Sequence, residues 1–112
     1  MKPWAYQPQA RDELAHEMGW YEEREPGLGL ELLDLLEQTL DRNAEHAMPG
    51  TRAMASAPEH FRRLLITRFP FALIVDAREE KRLVLALAHL KRRPNYWRVR
   101  LRPIAPSPRT KT

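Results

Sequence analysis

The chain has no cysteine among its 112 residues. That absence excludes a disulfide scaffold, a thiolate nucleophile and any cysteine-ligated zinc or iron–sulfur site. Its four histidines, His16, His46, His60 and His89, are scattered without ligand spacing, so neither a metal nor an organic cofactor is expected. A long apolar run is also missing. Residues 28–40 are the richest in leucine, yet Glu31, Asp34, Glu37 and Gln38 interrupt them, which excludes a membrane span there. The start, Met1-Lys2-Pro3-Trp4, has no apolar stretch of the kind a signal peptide needs. A soluble, cytoplasmic protein is expected. There is no internal repeat, phosphate loop or nucleophile–base pair.

What is present suits one small domain. At 13.2 kDa and 43% hydrophobic residues, a chain of this length buries roughly 65% of the surface it would expose unfolded. The net charge of +4 conceals a division. Residues 1–50 hold four Lys/Arg against eleven Asp/Glu, a net of −7, whereas residues 51–112 hold fifteen against four, a net of +11. A basic half joined to an acidic one points to a polyanionic or acidic partner on one side of the molecule.

Hydrophobic spacing gives the order of elements. Trp4 and Tyr6, two apart, suit a short first strand with both rings on one face. Pro8 opens a helix in which Ala10, Leu14, Met18 and Tyr21 form one stripe. Pro26-Gly27-Leu28-Gly29 breaks it, and a second helix over 29–47 carries Leu32, Leu33, Leu36, Leu40, Ala44 and Ala47. The short link makes the two an antiparallel hairpin. Residues 51–60 read as a loop. Strands follow over 61–67, over 69–75, apolar on both faces as a central strand should be, and over 82–90. In the last of these, Leu83, Leu85 and Leu87 alternate with Val84, Ala86 and Ala88. The leucines are expected to face the helices, and the small face to invite a closely packed neighbour. Pro94 opens a last short helix with Trp97 and Leu101 four apart. The expected fold is therefore α+β, ordered β-α-α-β-β-β(-α), with a helical hairpin on a small, mainly antiparallel sheet. A single domain spans 1–102, and 103–112 is a proline-rich, disordered tail.

Chemistry concentrates near the C-terminus. Lys91, Arg92, Arg93, Arg98, Arg100 and Arg102 surround Tyr96 and Trp97, six cations in twelve residues. Cations interleaved with stacking rings suit nucleic-acid contact; they equally suit an acidic segment of a protein partner, or a solvated edge with Trp97 in the core. Arg62, Arg63 and Arg68 either extend that basic surface or act as sheet-edge charges that block aggregation. His89 is the one histidine in an expected strand and the candidate for acid–base work, although its register sets it on the core side. Trp20 lies off its helix's stripe, and Glu22, Glu23 and Glu25 read as a solvated helix end.

Three stretches in order resemble the RelE/ParE toxin superfamily of type II toxin–antitoxin systems. They are Arg11-Asp12-Glu13-Leu14 with Trp20-Tyr21-Glu22-Glu23 and Pro26-Gly27-Leu28-Gly29; Arg62-Arg63 with Arg68-Phe69-Pro70-Phe71-Ala72; and the run from Ala88-His89-Leu90 through Lys91-Arg92-Arg93-Pro94 to Asn95-Tyr96-Trp97. The resemblance covers about residues 4–101. It implies a toxin with the fold derived above, neutralised by an antitoxin encoded beside it. The family's ribosome-dependent mRNA endonucleases carry an arginine on the middle strand of the C-terminal half. Here that strand reads Phe71-Ala72-Leu73, and Leu90 follows His89. The departure favours the ParE-like branch, non-enzymatic inhibitors of DNA gyrase linked to plasmid stabilisation. In the alternative, RelE-like enzyme, His89, Arg92, Arg93 and Tyr96 would be the acid–base and phosphate-stabilising groups; a third alternative is an inactive, binding-only member. By resemblance, target or antitoxin contacts fall to Arg62, Arg63, Arg68, Ala86, Ala88, Lys91, Arg92, Arg93, Tyr96, Trp97 and Arg98. Operator DNA would be met only through the antitoxin.

Overall fold

Proline's fixed φ suits a first helical turn, where its missing N–H has no partner to lose, and helix α1 runs Pro8–Arg24. It ends at Glu25, whose N–H bonds back to Tyr21 O. Helix α2 runs Leu28–Arg42, and the carboxylate of Glu22 closes its N-terminus by accepting the N–H of Gly27 at 2.7 Å and of Gly29 at 2.9 Å. An anion there satisfies unpaired amides and complements the helix dipole. Glu22 is thus a cap, where a solvated helix end was expected. The two glycines of the link differ in purpose. Gly27 turns the chain at φ 90°, and Gly29 permits close helix crossing, since a Cβ there would lie 2.5 Å from Met18 O.

Helix α2 stops at Arg42, short of the expected 47. The Asn43 side chain donates to Thr39 O at 2.7 Å and competes with continued helix, so residues 43–46 turn instead.

The structure, a computed structural model, describes residues 4–91 and 95–101. Strands β1 (Ala5–Tyr6), β2 (Thr51–Arg52), β3 (Phe61–Ile66), β4 (Phe71–Asp76) and β5 (Leu83–His89) form one sheet ordered β1-β5-β4-β3-β2. β1 pairs parallel with β5; all other pairings are antiparallel. β2 lies where a loop was expected; two exposed residues carry no alternation to betray a strand. β4 starts two residues later than expected because Thr67–Pro70 turns, with Arg68 at φ 74°. The expected closing helix is a 3₁₀ helix, Tyr96–Leu101. The tail 103–112 lies outside the described residues.

The hairpin covers one face of the sheet. Ala10, Leu14, Leu32, Leu36 and Leu40 pack there on Leu64, Ile66, Phe71, Leu73, Val75, Val84 and Leu87, with Trp4 and Tyr6 alongside. Leu32 and Leu36 are fully buried, each worth roughly 1.5–3 kcal/mol of transfer free energy. A smaller cluster on the opposite face joins Phe61, Ile74, Leu85, Ala86 and Ala88 to Trp97 and Leu101 of the 3₁₀ helix.

This division corrects the alternation expected of β5. Ile74 pairs with Ala86 but Val75 pairs with Val84, so Leu85 is an extra residue in a bulge. Past it the pleat changes phase: Val84 and Leu87 face the helices, while Leu85, Ala86 and Ala88 face the 3₁₀ helix.

Candidate interaction surface and the edge of strand β5

β5 needs partners on its outer side, and β1 supplies them only as far as Val84. Beyond that point three side chains replace a strand. Arg100 Nη1 donates to Leu85 O at 2.9 Å, Leu87 N donates to Glu13 Oε1 at 3.0 Å, and the Tyr96 hydroxyl lies 3.2 Å from Leu87 O. The three also bind one another. Tyr96 donates its proton to Glu13 Oε2 at 2.6 Å, and both terminal nitrogens of Arg100 reach the same carboxylate at 3.1 Å. Charge assistance strengthens these bonds, and the cluster blocks an edge that would otherwise invite strand addition.

Tyr96, a candidate general acid–base, is therefore committed to a carboxylate. His89 lies nearby: it and Tyr96 line one cavity of about 410 Å³ together with Asp12, Glu13, His16 and Glu17. The Phe71 ring meets His89 edge-on at 5.1 Å, and His89 Nδ1 accepts the N–H of Lys91 at 3.0 Å, which places the neutral ring's proton on Nε2. Asp12 and Glu17 add two further carboxylates around this pair, while the charge of Glu13 is met by Arg100. Arg92 and Arg93 lie outside the described residues.

The other candidates separate by face. Arg62 turns to the helix side and is buried, with Nε donating to Pro49 O at 2.9 Å, Nη1 to Glu59 O at 3.0 Å and Nη2 to Gly50 O at 3.1 Å. It ties the 49–60 segment to β3, so the contact role expected of it gives way to a structural one. Arg63 points the other way, into a shallow groove of about 250 Å³ that it shares with Arg52, Ala72, Ile74, Leu90 and Trp97. Leu65 on the same face of β3 and Leu90 beyond β5 are 58% and 45% exposed. Arg68 pairs with Glu31 of α2. Lys91 and Arg98 are exposed.

Ala86 and Ala88 do have the close neighbour their size invites, but it is the chain's own: Trp97, 4% exposed, and Leu101, 8% exposed. Ala86, Ala88 and Trp97, three of the residues expected at a partner interface, are thus inside the fold. Trp20 is 43% exposed, and its ring carries the Arg24 guanidinium at 3.4 Å.

Glu13 escaped sequence reasoning as a functional group, and so did Arg82; Arg100, expected in a basic contact cluster, is instead turned inward onto Glu13 and Leu85 O. Glu13 is one of several acidic residues on α1 and meets Arg100 across 87 positions; nothing local marks the pairing.

The architecture is thus a helical hairpin on one face of a five-stranded, mainly antiparallel sheet, with a short helical segment on the other face. Comparison with family models and with curated proteins returns no match. Among solved structures, a chain of the chromosomal ParDE toxin–antitoxin system from P. aeruginosa superposes with a TM-score of 0.67 at 15% sequence identity. The alignment covers 81% of this chain and 98% of that one. Similarity at that identity establishes the shared fold.

Proposed function

We propose that the chain is the toxin of a type II toxin–antitoxin pair, ParE-like, which inhibits DNA gyrase by binding and is neutralised by a cognate antitoxin. The observation that carries this reading is the fold shared with the ParDE chain along 98% of that chain's length. The state of Tyr96 supports a binding protein over an RNase. Its hydroxyl is held by Glu13 at 2.6 Å, through a carboxylate that Arg100 also binds, so it is not free to act as an acid or base. The groove with Arg63, Leu65 and Leu90 around it combines charge with exposed apolar side chains, which suits a protein surface. No helix among the described residues is long and apolar enough to cross a membrane. The antitoxin would supply any contact with operator DNA.

The deciding assay adds the purified chain, free of antitoxin, to gyrase, ATP and plasmid. Loss of supercoiling together with protein-linked linear DNA, dependent on both gyrase and the chain, is the expected result. Unimpaired supercoiling by folded protein overturns the gyrase reading. Tyr96→Phe and His89→Ala are expected to keep full toxicity in cells; loss of toxicity in folded variants would restore the endonuclease.

A further inference from the structure

Arg82 is 6% exposed, and its Nε and Nη1 are buried with no hydrogen-bond partner. Leaving donors of a buried cation unpaired costs free energy, so such a group is either paired by a ligand or a liability. Its position is well defined. A turn in which the N–H groups of Lys81 and Arg82 both bond Arg78 O presents it at φ 44°, a conformation few non-glycine residues adopt. The guanidinium carbon stands 4.8 Å from the centre of the Trp4 ring, and Nη2 donates to His46 O at 3.3 Å. Trp4 is itself anchored, its indole N–H donating to Leu40 O at 3.2 Å.

Arg82 lines a cavity of about 690 Å³ between the 44–48 segment, His60 and the 77–82 turn. That size lies within the roughly 300–1,000 Å³ of small-molecule sites. Ala44, Ala47, Met48 and Ala77 make its apolar wall, and Glu45, His60, Arg78 and Glu79 are its other titratable groups. Arg78 is already spent, since its Nη2 binds the buried Asp76 carboxylate at 2.7 Å and its Nε does so at 3.1 Å.

We infer that this cavity binds a monoanionic carboxylate carried on an apolar body, with the carboxylate paired to the Arg82 guanidinium and the body lying against Ala44, Ala47 and Met48. One unspent guanidinium charge matches one negative charge. A phosphate dianion would bring surplus charge towards Glu45 and Glu79. Met48 is 47% exposed, and its unbranched side chain can turn aside at the mouth without backbone movement. A free organic acid and the C-terminal carboxylate of a peptide share this chemistry. The site is on the opposite side of the sheet from the Arg63 groove and does not depend on the gyrase reading.

The test uses the full chain and follows the Nε–H signal of Arg82 by NMR. The probes are hexanoate, neutral hexanamide, inorganic phosphate, and acetyl-alanyl-leucyl-leucine as the free acid and as its amide. Hexanoate or the free-acid peptide, or both, should move the Arg82 signal saturably, whereas hexanamide and the peptide amide should not. Arg82→Gln, shown folded by circular dichroism, should weaken binding of the active acid by at least about tenfold, the loss expected for a charge-assisted pair. A response to hexanoate alone identifies a small-molecule site, and a response to the peptide acid alone identifies a chain terminus. The inference is overturned if neither acid moves the signal or if the neutral probes move it equally. Equal action by phosphate, or undiminished binding to folded Arg82→Gln, would overturn it as well.

Discussion

The two faces of the sheet are covered by unequal means. On one, two helices of 17 and 15 residues lay down a continuous leucine-rich layer. On the other, a 3₁₀ helix of six residues places Trp97 and Leu101 over Ala86 and Ala88 and leaves Leu65 and Leu90 open. Adjacent arginines of β3 show the same contrast at single-residue scale: Arg62 is buried among backbone carbonyls, and Arg63 faces the groove. The helix-covered face therefore carries most of the core, and the thinly covered face leaves apolar side chains in solvent.

Truncating a core side chain on each face should have the largest and most unequal effects. Leu36→Ala, at a fully buried position between hairpin and sheet, should cost about 3–4 kcal/mol in urea unfolding. Trp97→Ala should cost about 2 kcal/mol, because a short segment can open locally without unfolding the rest. Hydrogen exchange in Trp97→Ala should rise along 96–101 and the β5 edge and stay unchanged in the helices. Equal losses for the two variants would show that both faces are core.

The arginine pair sharpens the contrast. Arg62→Ala strands the carbonyls of Pro49, Gly50 and Glu59 and should cost about 2–3 kcal/mol. Arg63→Ala should lie within about 0.5 kcal/mol of the parent, as surface changes do, while reducing gyrase inhibition if the groove is the contact face. Thermal unfolding of both variants beside the supercoiling assay tests this.

The smallest effect concerns pH. Burial, then the charge of Glu37, pushes the Tyr6 hydroxyl up from 10.0 to about 12, with Arg11 acting in the opposite direction. The unfolded chain releases this proton first, so Tyr6 favours the folded state fully below pH 10 and ceases to do so as pH rises towards 12. Tyr6→Phe should flatten that part of the alkaline limb and change little at neutral pH. An unaltered limb would show that Tyr6 titrates alike in both states.

Much of this architecture was legible in one dimension. Leu14, Leu32, Leu36 and Leu40 recur at helical spacing, Pro26-Gly27-Leu28-Gly29 punctuates the hairpin, and residues 69–75 read as a central strand because they are apolar on both faces, close to the observed Phe71–Asp76. Periodicity reports burial, and burial in helices and central strands follows local spacing. β2 was not legible, since its two residues pair through the backbone and bury no side chain.

Local spacing and composition thus set the hairpin, the succession of helices and of every strand but β2, and the division into acidic and basic halves. The tertiary structure alone decided the roles of particular side chains. The Leu85 bulge exchanged the faces of β5, because pleat phase depends on the register with β4. Glu13 became the anchor of Tyr96 and Arg100, and Arg82 was left buried beside a cavity with one apolar wall, two of its nitrogens unpaired. Such roles rest on desolvation and on partners 36 to 87 positions away, and neither quantity is written in local sequence.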